Sequence, residues 1–146
     1  MNIKLLTIIG FLAVLIGCAA TPPVQEVSLP SQSLNKFPED GSIQLVIFND
    51  SNTLLYGLDN SGKINIHFDG KGVGQLSIGQ YVILSVKEGT HKIDLLHKDI
   101  VNMSSSHQVS VSDSPTYLKI HANVDSNGAE VVQKPGDFGS KFKPAY

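Results

Sequence analysis

Apolar residues in this chain fall in short runs separated by Gly, Asn, Asp and Ser, and the runs follow strand periods rather than helical ones. The clearest stretch is Lys63 to Leu96. Ile64, Ile66 and Phe68 alternate with Asn65 and His67, the two-residue period of a strand with one buried face. Asp69-Gly70-Lys71-Gly72 follows, and Asp-Gly is a favoured pair for a type I′ hairpin turn. Val73 to Leu76 is then the returning arm. Ser77 to Gln80 turns again into Tyr81–Val86, a strong strand. Lys87-Glu88-Gly89-Thr90 turns tightly into His91–His97, where His91 and His97 share a face with Ile93 and Leu95.

The flanks read the same way. Ile43 to Phe48 is apolar at nearly every position, which predicts a central strand covered on both faces. Asn49 to Asn52 is turn chemistry, Leu54 to Leu58 is a short strand or a loop, and Asp59 to Gly62 turns. Val101 to Ser106 is ambiguous. Gln108–Val111 and Thr116–Val124 are strands joined through Asp113-Ser114-Pro115. Asn127-Gly128 predicts a turn before a last short strand, Ala129 to Gln133. No helical period persists over three turns between Gly41 and Gln133. Roughly seven to nine short strands in about ninety residues predict an all-β fold, a small antiparallel two-sheet β-sandwich. That size buries a working core without disulfides.

Ahead of the domain the pattern changes. Lys4 precedes an apolar segment, Leu5 to Ile16, that is too short to span a bilayer as a helix. It ends in Leu15-Ile16-Gly17-Cys18, which resembles a bacterial lipobox, and Cys18 is the single cysteine. In lipoproteins with this motif the thiol takes a diacylglyceryl group, cleavage follows on its amino side, and the freed amine is usually acylated too. A thiol is the side chain nucleophilic enough for that transfer. Each buried methylene adds about 0.8 kcal/mol, so two or three acyl chains make a lasting anchor. Ala19, rather than Asp, follows the cysteine, as in outer-membrane lipoproteins of enteric-type bacteria, and implies a periplasm-facing domain. Ala19 to Asp40, with Pro22, Pro23, Pro30 and Pro38 among small polar residues, reads as a tether. The predicted organisation is a signal peptide over 1–17, lipidated Cys18 and its tether over 18–40, a β-sandwich over 41–133 and a flexible tail over 134–146.

Composition narrows the function classes. A formal charge of −2 with no basic patch argues against nucleic acid as a partner. A lone cysteine excludes an intramolecular disulfide and a thiolate zinc site.

Three segments, Asp69-Gly-Lys-Gly-Val-Gly74, Gly79-Gln-Tyr81 and Lys87-Glu-Gly-Thr-His91, together follow a family pattern: a strand ending in Asp-Gly-Lys, a Val-Gly return, a Gly-x-Tyr lead-in and a Gly-x-His opening. Over roughly Ile43 to Val124 the chain resembles the domain of unknown function 2846 family, small bacterial lipoprotein domains related to PEGA-type β-sandwiches. It departs at Glu88-Gly89, where members more often carry Pro-Gly, and at Ser114 to Tyr117, where they carry Gly-x-x-Tyr-Tyr. The resemblance implies a sandwich fold and an envelope location, and it brings no catalytic residues.

Candidate chemistry is sparse. Gly70-Lys-Gly-Val-Gly74 is glycine-rich, but a dinucleotide loop needs a following helix, and a strand follows here. His67, His91, His97, His107 and His121 are the suggestive set, since three converging imidazoles would hold zinc or copper. They include no helical i,i+4 pair and no His-x-His, and their predicted faces split them, so no metal or cofactor is expected. Ser104-Ser-Ser-His107 holds nucleophile and base types without a nucleophile-elbow turn. In the tail, Phe138, Phe142 and Tyr146 stand four apart, but Gly139 and Pro144 oppose a helix. A docking peptide, with Lys141 and Lys143 meeting an acidic partner, is the alternative to a flexible end.

The expectation is a lipid-anchored, non-enzymatic binding or scaffolding domain that partners an envelope protein complex or the cell wall. The alternatives are a histidine-based metal-binding or enzymatic lipoprotein and an inhibitor of a secreted hydrolase. Cys18→Ser is expected to leave an unprocessed or soluble product. Membrane fractionation and gel mobility check this, and a variant that still pellets with membranes at unchanged size contradicts the lipid anchor.

Overall fold

The computed structural model describes residues 42–56, 62–97, 102–112 and 115–145. The signal segment, Cys18, the tether and Gly41 lie outside the described residues, as do Gly57 to Ser61, Lys98 to Val101, Asp113, Ser114 and Tyr146. The chain runs β1 (Ile43–Asn49), α1 (Thr53–Tyr56), β2 (Ile64–Phe68), β3 (Lys71–Leu76), β4 (Gln80–Val86), β5 (Gly89–His97), β6 (Met103–Val111), β7 (Thr116–Ala122), β8 (Asn127–Val132), α2 (Phe138–Lys141) and β9 (Lys143–Pro144). Two sheets face each other. One has the order β8-β7-β1-β4-β9 and the other β3-β2-β5-β6. This is the two-sheet β-sandwich that the alternating pattern predicts.

The hairpin at Asp69-Gly70 forms as its chemistry requires. Phe68 pairs with Lys71, and both turn residues take positive φ, 47° and 76°, which suits a type I′ turn. The inward faces interlock in one core. Leu45, Ile47, Leu84, Leu118 and Ile120 come from one sheet, and Ile64, Ile66, Ile93, Leu95 and Val109 from the other.

Five details differ from the sequence reading. The larger sheet is mixed: β1 is antiparallel to β4 but parallel to β7. A strand apolar on both faces carries no alternation, so its pattern does not reveal the direction of its neighbours. Leu54 lies in a single helical turn, α1, whose start is capped by Asn52: its Oδ1 accepts the Leu54 N–H at 2.8 Å. Within the ambiguous stretch Val101 to Ser106, the residues from Met103 on are strand, part of nine-residue β6. Asn127 and Gly128 belong to β8, paired with Ala122 and His121, and the bend falls at 124–126 instead. Asn127 escapes turn duty because its buried side chain joins the sheets, with Nδ2 donating to the Met103 carbonyl at 3.0 Å.

The fifth difference is the largest. The segment predicted as a flexible tail is a strap across the outer face of the five-stranded sheet. Phe138 and Phe142, one helical turn apart, are 1% and 3% exposed and form a second core with Val46 and Phe48. Phe48 meets Phe138 edge-on at 5.4 Å and Phe142 at 4.7 Å, and Tyr117 meets Phe138 at 5.5 Å. A single turn tolerates exposed Gly139, and Pro144 falls beyond it, on an edge strand where its missing N–H costs little. The Lys143 and Ala145 amides donate to the Gly79 and Tyr81 carbonyls, both at 2.9 Å, which docks β9 parallel to β4. Phe138 and Phe142 anchor the strap to its own sheet.

Phe138→Ala is expected to lower unfolding stability by about 3–5 kcal/mol, a large share of a typical domain's 5–15. Urea denaturation checks this. Leu54→Ala, at a side chain 81% exposed, serves as a control and is expected to stay within about 0.5 kcal/mol. An unchanged midpoint for Phe138→Ala contradicts the strap's role.

Candidate functional site at the open end of the sandwich

The end of β1 is organised by Asn49, which is fully buried. Its Nδ2 donates to the carbonyls of Gly62 at 2.7 Å and Leu76 at 3.0 Å. Its Oδ1 accepts from the Ser51 amide at 3.0 Å and the Ser51 hydroxyl at 2.6 Å. The Ser51 oxygen in turn accepts the Ala122 amide at 2.9 Å. One amide side chain therefore uses both of its donor hydrogens and both acceptor sites, as a buried polar group must. It ties the exit of β1 to the exit of β7 and to the other sheet. The Asp50 amide adds a bond to the Ile120 carbonyl at 2.9 Å.

Because β1 and β7 are parallel, the segments following both leave the sheet at the same end. Between them lies an open depression of about 360 Å³ lined by Asp50, Asn52, Lys119, His121, Asn123 and Glu130, with Ala122 and Val124. Lys119 and Glu130 are cross-strand partners and form an ion pair. That contact holds the Glu130 carboxyl below its ordinary value, chiefly through the Lys119 hydrogen bond. Asp50 pairs at 2.8 Å with Lys141 of the strap. The His121 ring lies across Gly128 so closely that a Cβ there would sit 2.3 Å from the ring, and only glycine fits beneath it. Leu54 and Val124 stand out into solvent at this end, 81% and 78% exposed.

The histidines do not converge. Among the described residues no three His, Cys, Asp or Glu side chains are grouped to hold a metal. His67 is half-exposed on the outer face of the four-stranded sheet, and His97 is buried as its shared face with Ile93 and Leu95 predicts. His107 Nε2 lies 2.9 Å from Ser105 Oγ and 3.0 Å from the Asn127 carbonyl oxygen. Ser105 and His107, two apart on a strand, share a face, which adjacent-residue reasoning over Ser104–His107 misses. The carbonyl can only accept, so Nε2 carries the proton and is a donor rather than a base for the serine. The contact links β6 to β8 across the sheets.

His91 has a different task. Nδ1 is 2.7 Å from Asp69 Oδ2 and Nε2 is 2.9 Å from the Lys87 carbonyl oxygen. Both neighbours are acceptors, so both contacts are hydrogen bonds only when the ring is protonated. Phe68 stacks on the ring at 4.9 Å. Burial opposes charge on His91, but the Asp69 hydrogen bond, the Lys87 carbonyl and the Asp69 charge outweigh it and raise the imidazole above 6.5. The His91 hydrogen bond, with the Lys92 amide, holds Asp69 below 3.8. This clasp fastens the hairpin turn to β5.

Its stability follows from those directions. The His91 contribution is complete below an unfolded value of 6.5 and is lost as pH rises through the raised folded value. The Asp69 contribution is present above 3.8 and is lost as pH falls through the lowered folded value. The clasp is therefore strongest between these limits. Asp69→Asn is expected to melt below the parent near pH 5.5, by no more than about 1 kcal/mol for a half-exposed pair. The gap is expected to narrow above neutrality, and a pH-independent gap in thermal melts contradicts the charged clasp. No protein-family model, curated protein or solved structure matches the chain.

Proposed function

We propose that the protein is a lipid-anchored, non-enzymatic binding domain of the bacterial cell envelope. In this reading Cys18 holds it to the outer membrane, facing the periplasm, and the open end of the sandwich is presented to an envelope partner. The observation that carries the reading is the grouping at that end. Of the three large apolar side chains that stand exposed among the described residues, Val124 lines the charged, amide-lined depression, and Leu54 follows two residues after Asn52, another lining residue, to which its amide donates. Exposed aliphatic groups beside polar ones are the composition of a recognition surface. The lipobox-like sequence and the resemblance to lipoprotein domains support the location. The donor role of His107 and the charged clasp at His91 support binding over catalysis, because each imidazole is committed to a hydrogen bond within the fold.

A photo-crosslinking residue placed at Leu54 or Val124 in the cell-expressed lipoprotein is expected to capture a discrete envelope component. The same probe at Ser104 or Gln108, exposed on the outer face of the other sheet, is expected to capture far less. Equal capture at all four positions, or none at Leu54 and Val124, removes the support for this end as the binding surface.

A further inference from the structure

We infer that the depression at the ends of β1 and β7 takes an uncharged saccharide unit; the inference rests on this end being the binding surface and names its ligand class. Charge is the first argument. Asp50, Glu130 and Lys119 line the site beside His121, and Lys141 reaches Asp50 from the strap, so two carboxylates and two ammonium groups are matched in two ion pairs. Their sum is zero. The pairs are exposed and easily broken, but a charged ligand gains no net attraction from such a set.

The second argument is the free hydrogen-bonding capacity. Each carboxylate has one oxygen in its ion pair and leaves the other as an acceptor. Asn52 uses its Oδ1 to cap α1, which leaves its Nδ2 as a donor. The Asn123 side chain makes no hydrogen bond among the described residues, while its backbone closes the bend through the Ser126 carbonyl. Planar amides and carboxylates offering donors and acceptors side by side match neighbouring hydroxyls, each of which both gives and takes a hydrogen bond.

The third argument is shape. The site is an open depression rather than an enclosed apolar cavity, and its volume of about 360 Å³ is at the small end of ligand sites. Exposed Val124 in its lining offers aliphatic surface to the C–H face of a sugar ring. A lining that mixes charged and amide groups with Ala122 and Val124 suits a ring that is polar at its edge and apolar on its face.

The test is an amide-shift titration of the ¹⁵N-labelled full chain in detergent micelles. The probes are the N-acetylglucosamine trimer and maltotriose as neutral glycans, glucosamine oligomers and a sialylated trisaccharide as charged ones, and an end-capped uncharged peptide. Saturable shifts at Asn52, Asn123 and Val124 are expected with a neutral glycan at about millimolar concentration, and not at Ser104 or Gln108. Affinity is expected to stay constant from about 0.05 to 0.3 M salt, where screening would weaken a charged contact. Asn123→Ala, an exposed position, is expected to keep the melting temperature and lose about tenfold in affinity. Tighter, salt-sensitive binding of a charged glycan overturns the inference, as does the absence of saturable shifts with either neutral glycan. If the peptide alone shifts these amides, the binding end stands and the saccharide falls. If no probe shifts them and crosslinking at Leu54 and Val124 also fails, both fall.

Discussion

The burial of β1 on both faces is the constraint from which the rest of the architecture follows. Leu45 and Ile47 point into the space between the sheets, while Val46 and Phe48 point the opposite way. A sandwich of two sheets covers only the first pair. Leaving the second pair in water would forfeit roughly 2 kcal/mol for each large side chain, a sizeable fraction of a small domain's stability. A third layer is therefore required, and residues after β8 supply it as an aromatic strap. Phe138 and Phe142 do for the outer face what the four-stranded sheet does for the inner one.

The same strand determines where the molecule has room for a partner. The strap roofs Val46 and Phe48 and meets Asp50 through the Lys141 ion pair. Beyond that point the outer face is polar, with Lys119, His121 and Glu130 on β7 and β8. Asn49 makes this end rigid. Its four hydrogen bonds lock the exit of β1 to β3 and, through Ser51, to β7. The depression sits on a fixed frame: β7 and β8 supply Lys119, His121, Ala122 and Glu130, and the segments after β1 and β7 supply the rest of its lining. A recognition surface gains from such preorganisation because little ordering remains to be done on binding.

The polar side chains that look chemical in the sequence mostly do structural work. His91 clasps the hairpin turn through Asp69 and the Lys87 carbonyl, His107 links the sheets through the Asn127 carbonyl, and the ring of His121 lies on Gly128. His91 and His107 are committed by partners some twenty residues away, Asp69 and Asn127. A sequence displays the residue type but not that partner. The signal most nearly readable was Asn127-Gly128, a turn-forming pair used here for a buried amide and for the space beneath a ring. Local turn propensity lost to tertiary demand at that position.

Short-range physics was legible along the chain. Alternation in Ile64–Phe68, the Asp69-Gly70 pair and the doubly apolar Ile43–Phe48 run specified strands, a type I′ hairpin and a strand needing two covers, because each depends on neighbours a few residues away. The lipobox-like Leu15-Ile16-Gly17-Cys18 is likewise a local signal. The parallel pairing of β1 with β7, the strap over Phe48 and the site between Asp50 and Glu130 were settled only when segments some seventy to ninety residues apart came together. Phe138 shows why. Beside Gly139 and near Pro144 it lacks the local support that marks a stable element, and its burial depends on an apolar face presented by a strand at the other end of the domain.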